Sequence, residues 1–179
     1  MLNDIKEVLF SEEEISERCK ELASEIEACY KETGATPLVL ALLKGSIPFM
    51  AELIKRFTIP VELEFMSVSS YSGVASTGDV KINKDMDVSC RGRSILLVED
   101  IIDTGRTIKQ VVQLLYDRGA EDVKIVALLD KKEGRVVECE ADYVGFDIPN
   151  AFVVGYGLDY NQKYRNLPFV GVLKEEVYS

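Results

Sequence analysis

The feature that most restricts the fold of this chain is a short apolar run that leads directly into acidic residues and then into an amphipathic helix. Residues 94–98 read Ser-Ile-Leu-Leu-Val, which is typical of a strand buried on both faces of a parallel sheet. From Thr107 onward the apolar residues recur at helical spacing, and Gly119 is well placed to end that helix. Residues 98–107 therefore join a buried strand to a helix through an acidic turn.

Similar apolar runs alternate with helical patterns along the whole chain. Ser11 begins a capping-box pattern, and the helix that it predicts ends near Gly34. Further strands are predicted at 38–43, 61–68, 123–129 and 152–156, and a further helix at 46–57. This alternation predicts an α/β fold with a mainly parallel central sheet of about five parallel strands, flanked by helices. Residues 2–10 and 168–173 are expected to form a small hood, and no repeat or linker divides the single domain predicted over residues 1–179.

The composition excludes several classes of function. The chain carries 21 Lys and Arg against 31 Asp and Glu, and its net charge of −10 argues against binding to the backbone of nucleic acids. Because it contains no histidine, Ser-His and Cys-His catalysis are excluded. The four cysteines lie far apart, which disfavours a zinc site or a disulfide framework. The first residues resemble neither a secretory signal nor a membrane span, so a cytoplasmic location without membrane contact is expected.

The turn after the apolar run carries the donors that a phosphate needs. In open parallel sheets, ligands bind beyond the carboxyl ends of the strands, where helix N-termini present unpaired N–H groups. Thr104 and Thr107 add hydroxyl donors, and Gly105 lets the backbone approach a ligand closely. Arg106 adds positive charge that points either into the site or to solvent. The pattern therefore predicts a phosphate-binding site.

The acidic residues of this segment need a second explanation. Glu99 and Asp100 would repel a phosphate unless cations or sugar hydroxyls lie between them. Carboxylates accept hydrogen bonds from ribose hydroxyls, and magnesium binds through one or two carboxylates plus substrate phosphates. The simpler interpretation is a plain connection in which Asp103 or Thr104 caps the helix. That interpretation leaves the adjacent acids without a purpose, so a ribose phosphate with magnesium is favoured.

The complete string from Val98 to Thr107 closely resembles the phosphoribosyl pyrophosphate (PRPP) binding motif of type I phosphoribosyltransferases, and it is most similar to the 6-oxopurine (hypoxanthine-guanine) branch. The resemblance extends over about residues 37–172 and includes a second specific block at 144–160. It implies transfer of the 5-phosphoribosyl group from PRPP to N9 of hypoxanthine or guanine, with Mg²⁺ as cofactor. The products would be IMP or GMP plus pyrophosphate. On general grounds a homodimer or homotetramer is expected.

The resemblance also implies roles for individual residues. Asp103 is the implied acid/base group at N7 of the purine. The residues implied to bind the phosphoribosyl group are Glu99, Asp100, Asp103, Thr104, Gly105, Arg106 and Thr107. Those implied to bind pyrophosphate are Lys44, Gly45, Ser70, Tyr71 and Arg165. The purine is implied to bind Lys131, Phe152, Val153 and Asp159, and the metal Glu99, Asp100 and Asp159.

In this scheme Lys131 decides which purine is accepted. It donates a hydrogen bond to the oxygen at position 6, where adenine carries a donor instead. A donor that faces another donor costs about 1–3 kcal/mol, so such a lysine discriminates strongly. The sequence departs from the family at Asp130, which is placed to pair with Lys131, and at Arg106, where many relatives have lysine or an apolar residue.

Other interpretations stay open at this stage. Lys44 and Lys131 could be solvated loop charges, and residues 69–79 a surface loop instead of a lid that excludes water. A regulatory protein of the same fold that binds PRPP as a signal and contacts nucleic acid is a second hypothesis, which the purine-side residues and the acidic charge disfavour. A third is a phosphotransferase with Asp100 or Asp103 as nucleophile, which leaves the block at 144–160 unexplained.

Overall fold

The computed structural model describes residues 1–70 and 80–179. The strands in these ranges are β1 (Ile5–Phe10), β2 (Leu38–Leu42), β3 (Glu62–Ser70), β4 (Val80–Lys84), β5 (Ser94–Ile102), β6 (Asp122–Asp130), β7 (Tyr143–Asp147), β8 (Val153–Val154) and β9 (Val170–Leu173). The helices are α1 (Glu12–Thr33), α2 (Ile47–Ile54), α3 (Arg106–Asp117) and α4 (Glu175–Tyr178). Short 3₁₀ turns lie at Leu2–Asp4 and Lys132–Gly134.

The central sheet has six strands in the order β4-β3-β2-β5-β6-β7. The five strands from β3 to β7 in this order are parallel, and only β4 runs antiparallel to its neighbour β3. The predicted mainly parallel sheet is therefore confirmed. β4 and β7 were missed because both lie at edges of the sheet, where half-exposed residues replace a continuous apolar run.

The core forms two layers, one on each face of this sheet. Val39 and Leu96 pack with α1 and α2, whereas the next residues along the same strands, Leu40 and Leu97, pack with α3. Successive side chains of a strand point to opposite faces, so a strand covered on both sides must be apolar throughout. This requirement explains why the central strands read as unbroken apolar runs.

The predicted helix ends are found with small differences. Ser11 and Glu14 form the capping box of α1, and Gly34 ends that helix with a φ of 71°. Gly119 likewise has a φ of 89° directly after the last turn of α3. α2 is shorter than predicted and covers only Ile47–Ile54. Among the described helices, none is long and apolar enough to cross a membrane.

Both ends of the chain meet in a second, antiparallel sheet of order β1-β9-β8, as predicted for residues 2–10 and 168–173. The strand predicted at 152–156 is reduced to the two residues of β8. It stops there because Gly155 and Tyr156 have φ of 95° and 49°, which no regular strand allows. Within the block at 144–160, the regular strand therefore ends at Val154 and the residues after it form turns.

Candidate active site

The carboxyl ends of the parallel strands bring the predicted site residues to one edge of the sheet. Lys44 and Gly45 follow β2, Asp103 follows β5 and Lys131 follows β6. Ile102 and Asp130, the last residues of β5 and β6, are direct partners in the sheet. The side chains that follow these strands are consequently neighbours in space although far apart in sequence.

The predicted phosphate turn has the expected shape but is shorter than the sequence indicated. β5 continues to Ile102, so Glu99 and Asp100 belong to the strand and the turn contains only residues 103–105. Gly105 has a φ of 79°, and a side chain there would come within 2.8 Å of Cys139. The turn and the start of α3 border a cavity of about 170 Å³. This cavity is lined by Glu99, Ile101, Ile102, Asp103, Thr104, Gly105, Thr107 and Ile108.

Arg106 is the first residue of α3, and its side chain is exposed. Its backbone N–H lies 3.4 Å from the Thr104 hydroxyl, while the N–H groups of the first helical turn have no partner within the helix. The structure therefore places backbone donors, and not a guanidinium, beside the cavity.

Two adjacent carboxylates at the end of β5 lack a cationic partner. Burial and the neighbouring Asp100 charge raise the pKa of Glu99 well above its ordinary value. Burial also raises the pKa of Asp100, although the N–H of Ile101 donates a hydrogen bond of 2.8 Å to that carboxylate. Within residues 1–70 and 80–179, neither carboxylate forms an ion pair with Lys or Arg. Such a pair suits a hard divalent cation, which would offset the uncompensated charge.

The donor set is small, because no three acidic or cysteine side chains of the described residues converge on one point. Magnesium commonly binds through only one or two protein carboxylates and takes its other ligands from substrate oxygens and water. Glu99 and Asp100 therefore fit magnesium better than a metal that requires a full protein ligand set.

Asp103 and Lys131 form an ion pair, with the Lys131 ammonium 2.7 Å from the Asp103 carboxylate. Asp130, which its position in the sequence made a candidate partner of Lys131, does not pair with it. Asp130 instead binds the guanidinium of Arg135, which reaches it from the turn after β6. A side chain at Gly134 would overlap the Asp103 carboxylate, so the glycine makes room for the ion pair.

Arg135 is a site residue that sequence reasoning missed. Its guanidinium donates to the carbonyl oxygens of Ile102 and Asp103 at 2.8 and 2.6 Å, and to that of Cys139 at 2.9 Å. These bonds hold the end of β5 and the start of the phosphate turn against β6. The sequence offered only one weak signal, an arginine in the turn that follows a buried strand.

The turn after β2 lies directly against the acidic pair. The peptide bond between Leu43 and Lys44 is cis, and the Lys44 side chain is exposed. A side chain at Gly45 would overlap the Asp100 carboxylate, and one at Gly157 would overlap the carbonyl oxygen of Gly45. Both glycines are therefore needed for the close approach of these loops.

The purine-side block surrounds a second ion pair. The Asp159 carboxylate lies 2.7 Å from the Arg165 guanidinium, which also donates to the carbonyl oxygen of Gly157 at 2.7 Å. Arg165 is close enough to Asp100 for its charge to lower the pKa of that carboxyl, against the larger effect of burial. Phe152 is 38% exposed, whereas Val153 is buried in β8.

Of the remaining predicted pyrophosphate residues, Ser70 and Tyr71, the structure describes only the first. Ser70 is the last residue of β3, and Tyr71 lies outside the described residues, as do residues 72–79 of the predicted lid.

Comparison with known proteins agrees with this geometry. Residues 8–161 match the phosphoribosyl transferase domain family. The chain is 55% identical to a hypoxanthine-guanine phosphoribosyltransferase of Streptococcus agalactiae over 178 residues, which cover 99% of this chain and 98% of the relative. The corresponding Streptococcus pneumoniae protein is 56% identical, with the same coverage. A crystal structure of a Staphylococcus aureus hypoxanthine phosphoribosyltransferase superposes with a TM-score of 0.95 at 48% identity and covers 100% of this chain and 97% of that one. The chain belongs to the phosphoribosyltransferase family.

Proposed function

We propose that this chain is a purine salvage enzyme that transfers the 5-phosphoribosyl group of PRPP to N9 of hypoxanthine or guanine. The observation that carries the proposal is the contact of 2.7 Å between Lys131 and Asp103 beside the phosphate turn. O6 and N7 are neighbouring groups on one edge of a 6-oxopurine. A donor beside a carboxylate therefore suits that edge, with the ammonium at O6 and the carboxylate at N7.

The reaction replaces one bond at C1 of the ribose with another. N9 of the purine forms a bond to C1 while the bond between C1 and a pyrophosphate oxygen breaks, and pyrophosphate leaves with that electron pair. Positive charge develops on the sugar during this exchange. The proton on N7 of the incoming base passes to the Asp103 carboxylate, which acts as the general base.

The phosphate turn binds the 5′-phosphate in this proposal. Its donors are the hydroxyls of Thr104 and Thr107 and the backbone N–H groups from Gly105 into the first turn of α3. The helix dipole favours the anion further. Because the Arg106 side chain is exposed, its backbone contributes here and not its charge.

Magnesium belongs to the same proposal, with Glu99 and Asp100 as the residues that would hold it. When bound, it would neutralise the charge of the departing pyrophosphate. Asp159, the third proposed metal ligand, is paired with Arg165 in the structure. The proposed pyrophosphate contacts are Lys44, Gly45, Ser70, Tyr71 and Arg165.

Phe152 and Val153 complete the purine site. The half-exposed ring of Phe152 stacks on the base, and the backbone at Val153 contacts its edge. We further propose that the chain forms a single domain, is located in the cytoplasm and assembles as a symmetric homodimer or homotetramer. Sedimentation of the purified protein measures the number of subunits.

The experiment that tests the function supplies magnesium, PRPP and one free purine at a time to the purified protein. Formation of IMP and GMP, followed by chromatography, is the expected result. AMP as the sole product would contradict the role of Lys131. Tight binding of PRPP without any nucleotide product would instead favour the regulatory alternative.

A further inference from the structure

Phe152, the ring proposed to stack on the purine, is itself stacked on the penultimate residue of the chain. The ring centroids of Phe152 and Tyr178 are 4.8 Å apart, and their planes differ by 21°. The Tyr160 ring lies perpendicular to the same ring, with the centroids 5.6 Å apart and the planes at 89°. Two tyrosines therefore contact the Phe152 ring, one stacked on a face and one perpendicular to it.

Hydrogen bonds fix the C-terminal segment to the antiparallel sheet of β1, β9 and β8 and so hold Tyr178 in this position. The N–H of Leu173, at the end of β9, donates to the carbonyl oxygen of Phe152 at 2.8 Å. The N–H of Lys174 then donates to the backbone carbonyl oxygen of Asp4 at 2.9 Å, and α4 follows directly. The Tyr178 ring packs on an apolar cluster that contains Leu173. The stack is thus built on the same strand pairing that places the Phe152 backbone.

An aromatic ring offers two faces to stacking partners. Tyr178 stacks on one face of Phe152 and the Tyr160 ring is perpendicular to it, yet Phe152 is still 38% exposed. Offset stacking of this kind is directional, so it fixes the plane of Phe152 as well as its position.

We propose that Tyr178 is a positioning residue for the purine substrate, which holds Phe152 so that the exposed part of its ring receives the base. The inference rests on the proposed function, because it extends the purine side of that site. Tyr178 does not touch the reacting atoms in this proposal. Its loss should therefore weaken purine binding and leave PRPP binding and the chemical step unchanged.

Three variants test this inference in steady-state assays of the full chain. Tyr178→Ala removes the ring, Tyr178→Phe keeps it, and Val177→Ala trims the neighbouring side chain of the same turn. We expect Tyr178→Ala to raise KM for hypoxanthine about five- to tenfold, the size of a lost aromatic pair, with KM for PRPP and kcat within about twofold. Tyr178→Phe and Val177→Ala should both stay within about twofold of the parent in all three constants.

Each other outcome overturns the inference. An unchanged KM for hypoxanthine means that Phe152 needs no support, and an equal rise in both KM values means a general loss of structure. A lower KM for hypoxanthine in Tyr178→Ala means that Tyr178 occupies the face that the purine requires. If the parent protein makes no nucleotide from any purine, the proposed function fails as well. Normal parent activity with an unchanged variant overturns the Tyr178 inference alone.

Discussion

Asp103 and Lys131 contact each other, so the effects of replacing them should not be additive. Asp103→Asn removes the proposed general base, which typically contributes about 100-fold or more to the rate. We expect this loss in kcat, with a much smaller change in KM. Lys131→Met removes the proposed donor to O6, and the loss of about 1–3 kcal/mol corresponds to about 5- to 150-fold in kcat/KM for hypoxanthine.

The coupling between the two residues can be sized from their surroundings. The pair is close, at 2.7 Å, and the Lys131 side chain is only 13% exposed, but the Asp103 side chain is 45% exposed. Contacting residues couple by about 0.5–3 kcal/mol, and solvent screening of the exposed carboxylate favours the lower part of this range. We therefore expect a coupling free energy of about 1 kcal/mol, or roughly fivefold.

The sign of the coupling follows from the burial of Lys131. Asp103→Asn leaves a nearly buried ammonium without its counter-charge, and this penalty disappears when Lys131 is also replaced. The double variant should therefore lose about fivefold less kcat/KM than the product of the two single losses. Lys132 provides the control, because it is exposed and pairs with Asp147 instead. Initial rates at saturating PRPP give all the constants. If the loss of kcat/KM caused by Asp103→Asn adds to that of Lys131→Met as fully as to that of Lys132→Met, the proposed coupling is refuted.

Three further predictions concern Glu27, Gly45 and Arg135. Burial alone would raise the pKa of Glu27, but hydrogen bonds from Lys31 and from nearby backbone N–H groups lower it from 4.5 to about 2. The stability that the ionised Glu27 contributes is present above pH 4.5 and disappears as the pH falls towards 2. In urea titrations, Glu27→Gln should therefore lower the free energy of unfolding by about 2 kcal/mol at pH 7 and by little near pH 2. A difference between variant and parent that stays constant with pH would contradict this. Gly45→Ala places a methyl group against the Asp100 carboxylate, so KM for PRPP should rise at least about tenfold, and an unchanged KM would count against this turn as a ligand contact. Arg135→Lys keeps the charge but cannot replace the three guanidinium nitrogens that donate to the carbonyl oxygens of this turn and to Asp130, which should cost about 2 kcal/mol and lower Tm by roughly 4–8 °C. An unchanged thermal transition would show that these bonds add no stability.

The sequence predicted the central strands well because burial on both faces leaves few choices of residue. β2 is buried at all five positions, and its sequence is correspondingly apolar throughout. β4 and β7 carry no such pattern, since an edge strand is covered on only part of its surface. The left-handed backbone conformation of Tyr156 could not be predicted either, because a tyrosine gives no local signal for a positive φ.

Site features formed by residues close together in the sequence could be predicted. Contacts between residues from different loops could not. The run from Glu99 to Thr107 supplies strand end, turn and helix start within nine residues, so its arrangement follows from local rules. The partner of Lys131 does not, because Asp130 and Asp103 both lie at the same sheet edge. Adjacency in the sequence made Asp130 a candidate, but the partner in the structure is Asp103.

The ion pairs at this edge explain how a chain of net charge −10 can present a site for two anionic groups. Asp103 is neutralised by Lys131, Asp130 by Arg135 and Asp159 by Arg165. Glu99 and Asp100 alone among these acids keep only backbone and mutual contacts within the described residues. Among these acids, the two without a cationic partner in the described part of the chain are thus adjacent at the end of β5, where ribose hydroxyls and a divalent cation can meet them.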